Sequence, residues 1–292
     1  MSSMSATRAR DAGDSAAQFE PSAIYAQAVD ENFPVALRLL PKAARAHLIA
    51  IYGFARLVDD LGDEAEGDRL ALLDAVETSF DHALTGEATD PILVRAADTA
   101  RAIGATREPF IALIDANRQD QRVKRYETIA ELEAYCALSA NPVGRLVLLV
   151  FGVHEAAARA RSDEICTGLQ LIEHLQDVGE DYAAGRVYLP AEDLRTFGAR
   201  ESELGGASAS PALRRVIAFE CARARSYLDD GAPLVAMVKG SARLAIAGFV
   251  GGGRAQLDAI ERQSFDVLVR PAKAGKAAVA RSSARILLGA HR

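Results

Sequence analysis

Apolar positions recur along this chain at intervals of three and four residues, the period of a helix with one buried face. Leu48, Ile49, Ile51, Tyr52, Ala55 and Val58 mark such a face over Lys42–Asp60. Pro41 opens it, because a proline loses no hydrogen bond at a first helical position. Similar patterns predict helices over Arg69–Leu84 (closed near Gly86), Asp90–Ile103, Arg107–Gln119 and Ile129–Val153. A further helix runs from Ala156 to about Ala184 and stops at Gly185. Phe197–Pro211, rich in Gly, Ser and Ala, reads as a loop, followed by helices at Ala212–Gly231 and Pro233–Gly248. Gly251-Gly252-Gly253 reads as a flexible turn, and the helical pattern resumes at Arg254, apart from Pro271. No strand-turn-strand pattern or short repeat appears. The expected fold is all-α: one helical domain over residues 21–292, a bundle enclosing a central apolar cavity.

Composition then removes several function classes. A net charge of -6 argues against general nucleic-acid binding, which needs a basic surface. Cys136, Cys166 and Cys221 fit no metal-ligand spacing and read as buried free thiols in a reducing compartment. Residues 1–20 are polar and small, without the apolar centre of a secretory signal, and are expected to be disordered. The apolar run Leu146–Val153 is far short of a bilayer span, so a cytoplasmic location is expected. Lys273, Lys276, Arg281 and Arg285 make the C-terminal stretch basic: a solvated helix, or a face in transient contact with an anionic membrane. No glycine-rich turn follows a strand, so no nicotinamide cofactor is expected.

Two acidic segments carry the chemistry. In Val58-Asp59-Asp60-Leu61-Gly62-Asp63-Glu64, Asp59 and Asp63 are four residues apart and project from one helical face. Like charges at that spacing repel unless a cation lies between them, although such clusters also occur at solvated helix ends. In the second segment Glu173, Asp177 and Asp181 repeat every four residues, with Gln170 and His174 beside the stripe. A merely solvated face would carry interspersed lysines, yet Ala160–Arg186 contains none. Paired carboxylates without a Cys or His cluster suit magnesium, which completes its shell with water and phosphate oxygens, and do not suit zinc.

At these residues the sequence resembles the squalene and phytoene synthase family, from about Tyr25 to Leu288. Asp59-Asp60-Leu61-Gly62-Asp63 is similar to the family's first aspartate-rich motif. Asp177-Val178-Gly179-Glu180-Asp181, followed by Gly185-Arg186-Val187-Tyr188-Leu189-Pro190, is similar to the second motif and the segment after it. The resemblance implies an isoprenoid synthase-like fold and Mg2+ bound by Asp59, Asp63, Asp177 and Asp181, with Glu173 as a further candidate ligand. It implies diphosphate binding by Arg56, Arg186, Tyr188 and Arg270; Arg56 fits an intrahelical ion pair equally well, and Tyr188 a core position. Glu31-Asn32-Phe33-Pro34-Val35-Ala36 and the segment Tyr135–Arg145 resemble the hydroxysqualene synthases of hopanoid biosynthesis. Where this chain reads Ser139-Ala140-Asn141-Pro142, condensing members read more like Val-Ala-Gly, and Pro142 is expected to kink the helix. Gln176 stands where condensing members often carry arginine. The implied reaction converts presqualene diphosphate and water to hydroxysqualene, with Tyr52, Tyr135 and Asn141 as candidates for holding that water. The alternatives are a head-to-head condensing enzyme and a non-catalytic relative that serves as an assembly factor.

Overall fold

The structure, a computed structural model, describes residues 40–289. The segment expected to be disordered, 1–20, and the motif Glu31–Ala36 lie outside the described residues. Within them the regular structure is helical, apart from one isolated parallel bridge between Arg125 and Val187. In chain order the helices are α1 (Lys42–Asp63), α2 (Arg69–Thr85), α3 (Pro91–Ile103), α4 (Glu108–Asp120), α5 (Ile129–Ser139) and α6 (Asn141–Val150). They continue as α7 (Ala156–Gln176), α8 (Val178–Ala183), α9 (Ala191–Phe197), α10 (Pro211–Gly231), α11 (Leu234–Met237), α12 (Gly240–Arg262) and α13 (Lys276–Gly289).

The chain divides into two compact units. One holds the described residues up to Arg122 together with Leu146–Gly152; the other holds Val123–Arg145 and the residues from Val153 onward. In the first unit, helices α1 to α4 pack around Phe54, Phe80 and Phe110, all fully buried, with ring centroids 4.8–5.1 Å apart. Local chemistry sets the ends of these helices. Asp68 accepts from the Ala71 amide, and Asp90 accepts from Ile92 and Leu93 just before Pro91. Gly86 and Gly104 close α2 and α3 in the left-handed conformation.

In the second unit, α7 packs chiefly on α10, α12 packs on α13, and α7 also touches α5 and α12. Here the structure departs from the sequence reading in five places. The helix expected over Ile129–Val153 is two, α5 and α6, separated at Ala140. Pro142 has no N–H, so the Leu138 carbonyl one turn back loses its helical donor, and α6 restarts with the proline in its first turn. The helix expected to run to Ala184 bends at Asp177, where α7 gives way to α8. The expected loop over Phe197–Pro211 contains a 3-10 turn at Glu201–Gly205. The helix expected over Pro233–Gly248 breaks after α11, at Val238 and Lys239.

The glycine run is the fifth difference. Gly251-Gly252-Gly253 lies inside the continuous helix α12 and is not a turn. Packing is the reason: a Cβ on Gly251 would come within 2.6 Å of the Ser283 backbone in α13, and one on Gly253 within 3.0 Å of Leu228 and Leu169 side chains. Glycine is used there for close helix approach, which outweighs its poor helix propensity.

A buried acidic pair makes stability depend on pH. Glu220 on α10 and Asp193 on α9 are almost fully buried and share Arg223, whose guanidinium lies 2.8 Å from Asp193 and also pairs with Glu220. Desolvation, together with a hydrogen bond to Asp193, raises the Glu220 carboxyl from 4.5 to about 8. A raised carboxyl binds its proton more tightly in the folded state, so its stabilisation is complete below about pH 4.5 and is lost as pH rises toward 8. Glu220→Gln, which fixes the protonated shape, is expected to flatten the fall in melting temperature between pH 5 and 8; an unchanged slope (followed by circular dichroism) would contradict this.

Candidate active site

The first acidic motif is held by amides from a neighbouring helix. Asn117 on α4 donates to the Asp59 carboxylate at 2.9 Å and to Leu113 O at 3.3 Å. Gln121, one turn later, donates to Gly62 O and Asn117 O at 3.0 and 3.1 Å. Gly62 is required for this approach, since a Cβ there would sit 2.2 Å from Asn117 Oδ1. Asp59 is exposed, with Asn117 bonded to its carboxylate and the Asp63 charge close by. Desolvation raises its carboxyl to about 6; Asn117 opposes this, and repulsion from Asp63 adds to it. Asp63 is exposed on the same face of α1, and Tyr52 lies two turns before Asp59.

Asp60 plays a different part. It is 6 % exposed, and Arg56 Nε lies 2.7 Å from its carboxylate, with a second contact of 3.4 Å to Glu64. Arg56 therefore forms the intrahelical pair that its spacing allowed.

In the second unit Asp177 sits at the bend between α7 and α8, and the backbone bonds Asp177 N to Glu173 O and Asp181 N to Asp177 O carry the four-residue stripe through it. Burial, and after it repulsion from Glu180, raises the Asp177 carboxyl, while the nearby Lys273 charge lowers it. Glu173 is exposed. Arg186 lies 3.9 Å from Asp181, and its amide is bonded to Asp181 O at 2.8 Å. The segment after the motif is fixed by Val187 N to Lys124 O and Ala191 N to Tyr126 O, both 2.9 Å, and by Arg125 donating to Gly185 O.

That segment delivers Tyr188 into an aromatic wall. Its ring stacks on His174 at 3.8 Å and packs with Tyr126 and Tyr135 at 5.8 and 5.6 Å. A small recess beside the wall is lined by His174, Asp181, Tyr188 and apolar Val178, Val187, Leu189 and Leu204. Burial, aided by the Arg186 charge, lowers His174 to about 3, so its ring is neutral at physiological pH. Asn141, 7 % exposed at the start of α6, accepts a hydrogen bond from Thr167 on α7 at 3.1 Å.

Several participants carried no chemical signal in the sequence: Asn117, Gln121, Thr167, and Gln256, which forms a clamp with Gln176. Both glutamines donate to Ala272 O, at 3.3 and 2.5 Å, and Gln256 accepts from Ala274 N. The clamp brings Lys273 near Asp177 and so separates it from the basic stretch of Lys276, Arg281 and Arg285 on α13. Arg270 is exposed in the segment before it. The amide pair Asn117 and Gln121, four residues apart on one helical face, was the available clue to the first clamp.

Among the described residues no three His, Cys, Asp or Glu side chains converge into a complete metal site. Each motif instead offers two carboxylates four residues apart, with Asp59 and Asp177 held above the ordinary carboxylate range by burial and like charge. Oxygen donors of this kind fit a hard divalent ion that takes its remaining ligands from water and phosphate. A soft metal fits poorly, since burial pushes Cys136, Cys166 and Cys221 up to about 12, and His174 is engaged in stacking. Among the described residues no helix is long and apolar enough to cross a membrane.

The profile of the squalene/phytoene synthase family matches residues 26–280, and the chain belongs to that family. It is 38% identical over 214 residues to the hydroxysqualene synthase of Rhodopseudomonas palustris, covering 72% of each chain. It is 31% identical over 251 residues to the 15-cis-phytoene synthase of Synechococcus elongatus, covering 81% of this chain and 82% of that one. Among solved structures, squalene synthase HpnC from Alicyclobacillus acidocaldarius superposes with a TM-score of 0.76 at 42% identity, over 80% of this chain and 89% of that one.

Proposed function

We propose that this protein converts presqualene diphosphate and water to hydroxysqualene and inorganic diphosphate. The observation that carries the reading is its similarity, at 36–38% identity, to three proteins named hydroxysqualene synthase, with both aspartate pairs intact. Asp59, Asp63, Asp177 and Asp181, with Glu173 as a further ligand, would hold magnesium, and Arg186, Arg270 and Lys273 would add positive charge for the diphosphate. Magnesium supplies Lewis-acid stabilisation of the departing diphosphate. The C–O bond breaks with its electron pair leaving on diphosphate. Water then forms the new C–O bond, and its proton passes to the diphosphate. The aromatic and apolar side chains around Tyr188 and His174 shield the cation, and the neutral ring of His174 adds no competing positive charge. No nicotinamide is required, because no hydride is transferred.

A second reading, head-to-head condensation, has support from phytoene synthases 30–33% identical to this chain and from the HpnC structure. Gln176 speaks against it, being a neutral amide that fastens Ala272 and lends no charge to a second diphosphate. The experiment is to supply presqualene diphosphate and farnesyl diphosphate separately, with magnesium and without reductant, and to identify products by mass. A hydroxylated triterpene from the first and little conversion of the second is the expected result. Rapid formation of presqualene diphosphate, squalene or phytoene from shorter substrates would overturn it, as would a reductant-dependent conversion to squalene. A cytoplasmic location, with the exposed basic face of α13 touching anionic membrane, belongs to the same proposal.

A further inference from the structure

The break between α5 and α6 concentrates unsatisfied polar groups where the sequence is otherwise helical. Pro142 leaves the Leu138 carbonyl without its helical donor. Ser139 Oγ is buried and, among the described residues, has no hydrogen-bond partner. Asn141 is more than nine-tenths buried, and its Oδ1 takes the Thr167 hydroxyl. Thr167 anchors the Asn141 side chain across the break, its hydroxyl donating to Asn141 Oδ1 at 3.1 Å. Buried donors and acceptors in this state are what an ordered water satisfies.

The break also adjoins the aromatic wall. Ser139 lies one turn after Tyr135 on α5, and Thr167 lies two turns before His174 on α7, so both positions share faces with residues that pack on each other.

We infer that Asn141 holds the water that captures the carbocation and that Thr167 is the positioning residue that orients it; the inference rests on the hydroxylating reaction proposed above. The Asn141 N–H occupies one lone pair of that water. The Leu138 carbonyl or Ser139 hydroxyl accepts one of its hydrogens, and the second lone pair is left to form the C–O bond. Asn141 has no part in ionisation, which depends on the acidic motifs.

The test is product partition from presqualene diphosphate in 18O-labelled water, with diphosphate release measured in parallel. Wild-type protein should place 18O in the triterpene alcohol. Asn141→Leu should lower the hydroxylated fraction about tenfold, the effect of losing one hydrogen bond, and divert carbon to elimination products while diphosphate release continues. Thr167→Val, which keeps the shape and removes the hydroxyl, should lower the fraction by several-fold, and Thr167→Ser should restore it. An unchanged hydroxylated fraction in both Asn141→Leu and Thr167→Val overturns the inference and leaves the proposed reaction standing. Loss of diphosphate release in both variants also overturns it. A wild-type protein that yields no hydroxylated product overturns the proposed reaction, and the inference with it.

Discussion

Asp59→Asn and Asp177→Asn are each expected to reduce turnover of a prenyl diphosphate by about a hundredfold or more, because in the proposed reaction each carboxylate would hold the magnesium that stabilises the departing diphosphate. The variants should fold. Asparagine at 59 still offers an oxygen to Asn117 Nδ2, and it relieves the repulsion from Asp63 that, together with desolvation, holds the native carboxyl at about 6. The sign of the stability effect follows. A carboxylate disfavoured in the folded state costs stability at pH 7, so in chelator Asp59→Asn should melt at or above the parent temperature. Added magnesium should raise the parent's melting temperature more than the variant's, since only the parent keeps both carboxylates of the pair. Full activity in excess chelator, or equal magnesium stabilisation of parent and Asp59→Asn, would remove the metal assignment.

Gly251→Ala and Gly252→Ala are expected to act in opposite directions, although they are adjacent in one helix. A methyl at 251 would sit 2.5–2.6 Å from the Ser283 amide nitrogen and Cα, and a backbone cannot swing aside as a side chain can. The expected loss is about 1–3 kcal/mol, with α13 displaced from α12. A methyl at 252 meets nothing within 4 Å, so alanine's better helix propensity should add about 0.5–1 kcal/mol. At roughly 2–4 °C per kcal/mol for a chain of this size, thermal melts separate the two outcomes. Equal effects at the two positions would show that α13 does not pack on this face.

The helices of the first unit and the two aspartate pairs were legible from the sequence because both signals are local. Apolar spacing, Asp68, Asp90, Gly86 and Gly104 act within one or two turns, and the four-residue spacing of Asp59 with Asp63 and Asp177 with Asp181 fixes their shared faces. Pro142 announced its kink for the same reason, by a hydrogen bond it cannot make. The tertiary structure decided what depends on residues far away in the chain. Three glycines read as a turn until Ser283, Leu228 and Leu169 are brought against them. Arg56 is free to serve a ligand or Asp60 until its side chain is placed. Gln176 and Lys273 have no relation in the sequence, and the Ala272 carbonyl, 96 residues from Gln176, relates them. Thr167 is an ordinary helical threonine until its hydroxyl meets Asn141 across 26 residues. Local spacing sets which side chains share a face, and long-range packing sets what that face meets. The sequence by itself therefore determined the helices and the acidic pairs, while the partners that orient those pairs, and the polar groups left without partners, came only with the tertiary structure.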